Sequence, residues 1–155
     1  MGVRGKERAG TTEDVYPLLG NALTLYNGSG GEIAKGQVCL VDFAKDDLKE
    51  AKATPLSAAI AFPVLLAVAT EVVADTKYGV FQTFGEVDAL VEGTTDVAAG
   101  NFLKVDVSVS TTGFIKDGTS RSAASGAIAK AAQADNSEVL TSVFLLGQQC
   151  TVLAS

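Results

Sequence analysis

Apolar positions along this chain come in short runs that glycines interrupt. The densest series is Gly79-Val-Phe-Gln-Thr-Phe-Gly85, Glu86-Val-Asp-Ala-Leu-Val91, Phe102-Leu-Lys-Val-Asp-Val107 and Glu138-Val-Leu-Thr-Ser-Val-Phe-Leu-Leu146. Runs of this length with an alternating period, bounded by turn residues, predict strands rather than helices. Ala22 to Tyr26 reads as a short strand, closed by the turn Asn27-Gly-Ser-Gly-Gly31, where Asn and Gly accept positive φ cheaply. Val38 to Val41 reads as a buried strand after a break at Gly36, and Val64 to Val68 as the strongest part of an apolar stretch from Leu56 to Ala74.

Further along, Gly79 to Val91 reads as one strand kinked at Gly85, with Glu86 and Asp88 on its wet face. Gly93 to Gly100 is a loop. Phe102 to Ser110 alternates, placing Leu103, Val105, Val107 and Val109 on one face. Lys116-Asp-Gly-Thr119 has the chemistry of a hairpin turn. Ser120 to Ala134 is rich in small residues and fits a short helix or a small-residue strand equally. Lys45 to Ala53 carries good helix formers, with Asp46 and Lys49 at i,i+3, and fits one or two helical turns or an exposed loop. The likeness of Thr11-Thr-Glu-Asp-Val15 to Thr94-Thr-Asp-Val97 is too short to count as a repeat, and no internal repeat is predicted.

The predicted fold is therefore mainly β: a compact barrel or sandwich, residues 21–155, with at most one or two short helices. It is preceded by an extended arm, residues 1–20, in which no period is sustained. With 155 residues, 47% of them apolar, the chain can build one core. It has seven Phe and no Trp, so small and β-branched side chains must fill most of that core.

Charge and chemistry narrow the function. The net charge of −6 argues against direct nucleic-acid binding, since Arg4, Lys6 and Arg8 form the one local basic cluster. The chain has no histidine, which removes Ser-His-Asp and Cys-His nucleophile pairs and His-bearing zinc sites. Gly28 to Gly31 lacks the following Gly-Lys-Ser/Thr of a phosphate loop. Asp42, Asp46, Asp47 and Glu50 lack the ligand spacing and glycine of a Ca²⁺ loop, and read as a solvated face. Glu86, Asp88 and Glu92 have no aromatic sugar platform beside them for glycoside chemistry. No catalytic, cofactor or metal site is expected. Cys39 and Cys150 read as two free, buried or half-buried thiols, with a disulfide between them as the alternative. Met1 to Gly10 does not resemble a signal peptide, and the uncharged stretch 53–70 contains Pro55 and Pro63, which argue against a membrane helix.

The run Gly85-Glu-Val-Asp-Ala-Leu-Val-Glu-Gly-Thr-Thr-Asp-Val-Ala-Ala-Gly-Asn-Phe-Leu-Lys104 resembles the capsid decoration (cement) proteins of tailed bacteriophages. Lys116 to Thr119, the alanine-rich stretch Ala123 to Ala134 and the apolar run Val139 to Gly147 extend the likeness, which covers roughly residues 22–148. The arm and the 45–53 insert are not matched. The resemblance implies a β-barrel or β-tulip domain that forms homotrimers at three-fold and quasi-three-fold positions on the outside of the head. There it would bind the major capsid protein and hold the expanded shell against packaged DNA. Neither membrane nor nucleic acid is an expected partner. The arm could add a strand to a coat-protein sheet edge, which makes Val3, Arg4, Lys6, Arg8, Val15, Tyr16, Pro17 and Leu18 the expected capsid-contact residues. A tail or fibre-associated β domain, or a carbohydrate-binding β module, is the alternative.

Overall fold

A computed structural model of the chain describes residues 22–43, 52–134 and 137–153, with the backbone alone at residues 52 and 60–63. The described residues contain strands and no helix. In chain order the strands are β1 (Ala22–Asn27), β2 (Val38–Asp42), β3 (Lys52–Pro55), β4 (Ile60–Val64), β5 (Leu66–Ala69), β6 (Tyr78–Gln82), β7 (Gly85–Glu92), β8 (Phe102–Lys104), β9 (Ile115–Gly118), β10 (Ser125–Ala129), β11 (Glu138–Leu145) and β12 (Cys150–Val152). The mainly β, barrel-type fold read from the sequence is the observed one.

Two units share one topology. β1-β3-β2-β5-β6 close into a five-stranded barrel. β7-β11-β10-β8-β9 form the second sheet, and a parallel bridge from Phe114 to Val91 brings its last strand back to its first. The pairings correspond one by one. β1–β6 matches β7–β11, β2–β5 matches β8–β10, β2–β3 matches β8–β9, and β5–β6 matches β10–β11, all antiparallel. The parallel β1–β3 pair matches the Val91–Phe114 bridge. Even the register corresponds: Cys39 faces Ala67 as Leu103 faces Ala127, and Ala69 faces Phe81 as Ala129 faces Val143.

The turns repeat as well. Ile33 and Val73 exchange backbone hydrogen bonds of 2.9 Å, and Val97 and Gln133 do the same at 2.8 and 2.9 Å. Gly36 N donates to Ala69 O at 2.8 Å, and Gly100 N to Ala129 O at 2.7 Å. The Ala34 amide is accepted by the Gln37 side chain at 3.1 Å, and the Ala98 amide by the Asn101 side chain at 2.9 Å. The expectation of no internal repeat is thus overturned. The repeat lies in Glu32-Ile-Ala-Lys-Gly-Gln37 against Asp96-Val-Ala-Ala-Gly-Asn101, and not in the two Thr-Thr segments.

Alternation within each strand divides the apolar residues between two cores. Leu25, Ile33, Cys39, Val41, Ala67, Ala69, Val73 and Phe81 fill the first barrel. Val38, Leu66 and Val68 are next to them in sequence but point outward. They join the core of the second barrel, with Val91, Leu103, Phe114, Val143 and Leu145. β12 tightens the joint. It pairs with β4, an insertion of the first unit, and Leu153 bridges to Asp106 of the second.

Several local expectations change. Gly79 to Val91 is not one kinked strand: β6 and β7 belong to different barrels, and the chain crosses between them at residues 83–84. The crossing is held by Gln82, whose Nε2 donates to Phe84 O at 2.9 Å and to Glu86 O at 2.7 Å. β8 stops at Lys104 because the Asp106 carboxylate accepts the Ser108 amide at 3.0 Å and turns the chain, leaving Val109 exposed. Lys116, Asp117 and Gly118 lie within β9 and make no hairpin turn. Gly118 pairs with Phe102, and Asp117 accepts the hydroxyls of Ser122 (2.7 Å) and Ser125 (2.5 Å). The small-residue stretch yields strand β10. The arm and residues 44–51 lie outside the described residues; Lys52 and Ala53, at the end of the insert, belong to β3.

Candidate interaction surface

All the residues expected to contact a capsid, namely Val3, Arg4, Lys6, Arg8, Val15, Tyr16, Pro17 and Leu18, lie outside the described residues. The described surface has a different candidate, on the outer face of the β7–β11 pair. Register sets Leu90 beside Leu140, Asp88 beside Ser142, and Glu86 beside Phe144. The intervening Ala89, Val91, Thr141, Val143 and Leu145 point inward and are buried. A half-exposed pair normally carries polar residues on its wet side. Here the outer row carries Leu90, Leu140 and Phe144.

Phe144 is backed by Phe84, from the crossing between barrels. Their rings meet edge to face, with centroids 5.3 Å apart and planes at 80°. Phe84 in turn lies against Gly147, where a side chain would collide with its ring. Both Phe rings remain partly exposed, so two aromatic side chains are held in fixed geometry at the surface. One carboxylate, Glu86, lies across from Phe144. Glu86 pairs with Lys130, and hydrogen bonding and charge from Lys130, with a lesser hydrogen bond from Ser142, hold its carboxyl below the ordinary range. Glu138, at the opposite end of β11, accepts the hydroxyls of Ser110 and Thr112. Along the row the polar pair Asp88–Ser142 separates Leu90–Leu140 from Phe144, so the exposed aromatic patch is the Phe84–Phe144 pair at one end, beside the Glu86–Lys130 ion pair.

Sequence reading missed Phe84 and Phe144 because it assigned every apolar residue of a strand to the core. Parity was the available signal: Phe144 shares its face with Ser142, and Val143 does not. Glu86 and Asp88 do fall on the wet face, as alternation predicts.

The two thiols are free and buried. Burial pushes Cys39 up to about 12 and Cys150 up to about 11, so both stay protonated and unreactive near neutrality. No group of three or more His, Cys, Asp or Glu that could hold a metal lies among the described residues. No helix of the described residues is long and apolar enough to cross a membrane. No protein-family model matches the chain, and no curated protein is significantly similar to it.

Proposed function

We propose that this protein is a capsid decoration protein of a tailed bacteriophage. It binds the outer surface of the assembled head as a homotrimer at three-fold and quasi-three-fold positions, contacts the major capsid protein, and stabilises the shell against internal DNA pressure. The observation that carries this reading is the sequence resemblance centred on Gly85 to Lys104. That run forms β7, the Gly93–Gly100 turn and β8, and β7 pairs with β11, which presents the exposed Phe144.

The physical demands of the role agree with the fold. A cement protein must resist deformation, and among the described residues a closed barrel packs Val38, Leu66 and Val68 into the core of the second five-stranded sheet. It must grip by many modest contacts, and a trimer multiplies a weak contact through effective concentration. In this reading the protein is not an enzyme, takes no cofactor, and binds neither nucleic acid nor membrane. The basic, apolar arm supplies a second contact by adding a strand to a coat-protein sheet edge.

The test is mechanical. Expanded heads lacking decoration are heated with and without the purified protein, and DNA release is followed. The reading expects release to shift to higher temperature in a saturable way. Unchanged release together with no binding contradicts it.

A further inference from the structure

We propose that Asn27 is a modification site kept silent by the fold: its side-chain amide is locked while the first barrel is closed, deamidates when the chain unfolds, and then opposes refolding. Of the asparagines at 21, 27, 101 and 136, only Asn27 precedes a glycine. Asparagine is a thermolabile side chain, and glycine has no Cβ to shield its own nitrogen. In a free chain the Gly28 nitrogen attacks Cγ of Asn27. The N–Cγ bond forms, the Gly28 amide proton passes to solvent, and the Cγ–Nδ2 bond breaks as Nδ2 takes up a proton and leaves as ammonia. Water then opens the cyclic imide at either carbonyl, leaving an aspartate or an isoaspartate at position 27. The net change is the loss of ammonia and the gain of water, with no oxidant or reductant.

The closed barrel holds every polar atom of this residue. Asn27 is 0% exposed. Its Nδ2 donates to Gly31 O at 2.8 Å and to Val73 O at 2.9 Å. Its Oδ1 accepts the Ser29 amide at 3.1 Å and lies 2.7 Å from the Ser29 hydroxyl. On the backbone, Asn27 N donates to Lys77 O and Thr76 N donates to Asn27 O, both at 2.8 Å. Bringing Cγ onto the Gly28 nitrogen breaks the side-chain bonds where water does not replace them. Gly28 itself is exposed, so the lock is the asparagine side chain.

The product no longer fits. A carboxylate has no hydrogen to donate, and the Nδ2 position lies within hydrogen-bond distance of two carbonyl oxygens. The new group either stays charged against them or takes up a proton and recovers one of the two bonds, and both are costly in a buried site. An isoaspartate also lengthens the backbone by one carbon at the last residue of β1. The corner has little slack: Thr76 sits at φ +61°, a strained conformation for a β-branched residue, and its amide is tied to Asn27 O. Chemistry confined to the unfolded state turns reversible unfolding into irreversible loss.

The test holds the full-length protein, with reductant to keep its thiols apart, in mildly alkaline buffer with and without urea. Timed samples are digested for mass spectrometry or diluted to refold. The peptide spanning residues 27 and 28 should gain the mass of deamidation many-fold faster in urea than in the folded protein, while the Asn101 peptide changes in neither. Refolding yield should fall in step with the conversion, and the Gly28→Ala variant should keep its yield over the same period. Asn27→Asp should unfold at lower urea than Asn27→Ala, because alanine only forfeits bonds and aspartate adds repulsion. Equal deamidation of folded and unfolded protein overturns the lock. An equal loss of yield in Gly28→Ala, or an Asn27→Asp variant at least as stable as Asn27→Ala, overturns the block to refolding.

Discussion

Gly36 of the first barrel lies beneath Leu140 of the second, with no room between them for a side chain. Its equivalent, Gly100, faces open space in the same backbone conformation. The pair separates two costs that usually coincide. Gly100→Ala bears only the left-handed penalty, about 1–2 kcal/mol. Gly36→Ala adds overpacking against Leu140, for a total of about 2–4 kcal/mol. Denaturant melts of both variants, compared at equal concentration, should show this order. Equal losses would mean that the barrels do not meet at Gly36.

Asn27 ends β1 fully buried, and its Nδ2 donates to Gly31 O at 2.8 Å and to Val73 O at 2.9 Å. Asn27→Ala removes one of two donors from each of these carbonyls, which keep Ser29 Oγ and Ile33 N, and should cost about 1–3 kcal/mol in urea unfolding, since each hydrogen bond is worth a net of about 0.5–1.5 kcal/mol. Gln133 performs the same service in the second barrel, donating to Val91 O at 2.9 Å and Ser137 O at 3.1 Å, so Gln133→Ala should cost a similar amount.

The thiols predict a pH dependence. Both folded-state values are raised, to about 12 and about 11, above the ordinary value of 9.0. The unfolded chain therefore loses these protons first as pH rises. Their contribution is intact below pH 9.0 and is lost between there and the folded values, at up to about 1.4 kcal/mol per pH unit for each thiol. Replacing Cys39 with Ala should flatten the fall in stability above pH 9.0. At pH 8 a thiol reagent should label neither cysteine until the protein is unfolded. Rapid labelling of the native protein would contradict their burial.

Two capsid contacts are open to separate tests. Phe144→Ser removes half of an exposed aromatic pair and should leave the melting temperature within a few degrees of native while weakening head binding. Removal of residues 1–20 should leave folded barrels, because their strands pair among residues 22–152. The shortened protein should no longer bind heads. Unchanged binding after truncation would refute the role assigned to the arm and leave the Phe84–Phe144 face as the contact.

Strands whose period is unbroken were legible: β1, β2 and β11 fall where alternation puts them, and so does the turn at Asn27 to Gly31. The duplication was hidden because equivalent positions trade volume. Leu25 corresponds to Ala89, Cys39 to Leu103 and Phe81 to Val143, so the two units fill similar interiors with different side chains. What persists is backbone geometry, carried by Ala34 and Gly36 in one turn and Ala98 and Gly100 in the other. Strand ends were misread where a side chain overrode the local pattern, as Asp106 does after β8 and Asp117 does within β9. The Phe84–Phe144 pair could not be read from either run alone, because it joins a crossing segment to a strand distant in sequence.

Co-sedimentation of the full-length protein with expanded, undecorated heads, counting bound copies per coat subunit, tests the central claim most directly. The account predicts saturable binding that levels off at one trimer for each three-fold and quasi-three-fold site. No binding by folded, oligomeric protein would contradict it and turn attention to the tail.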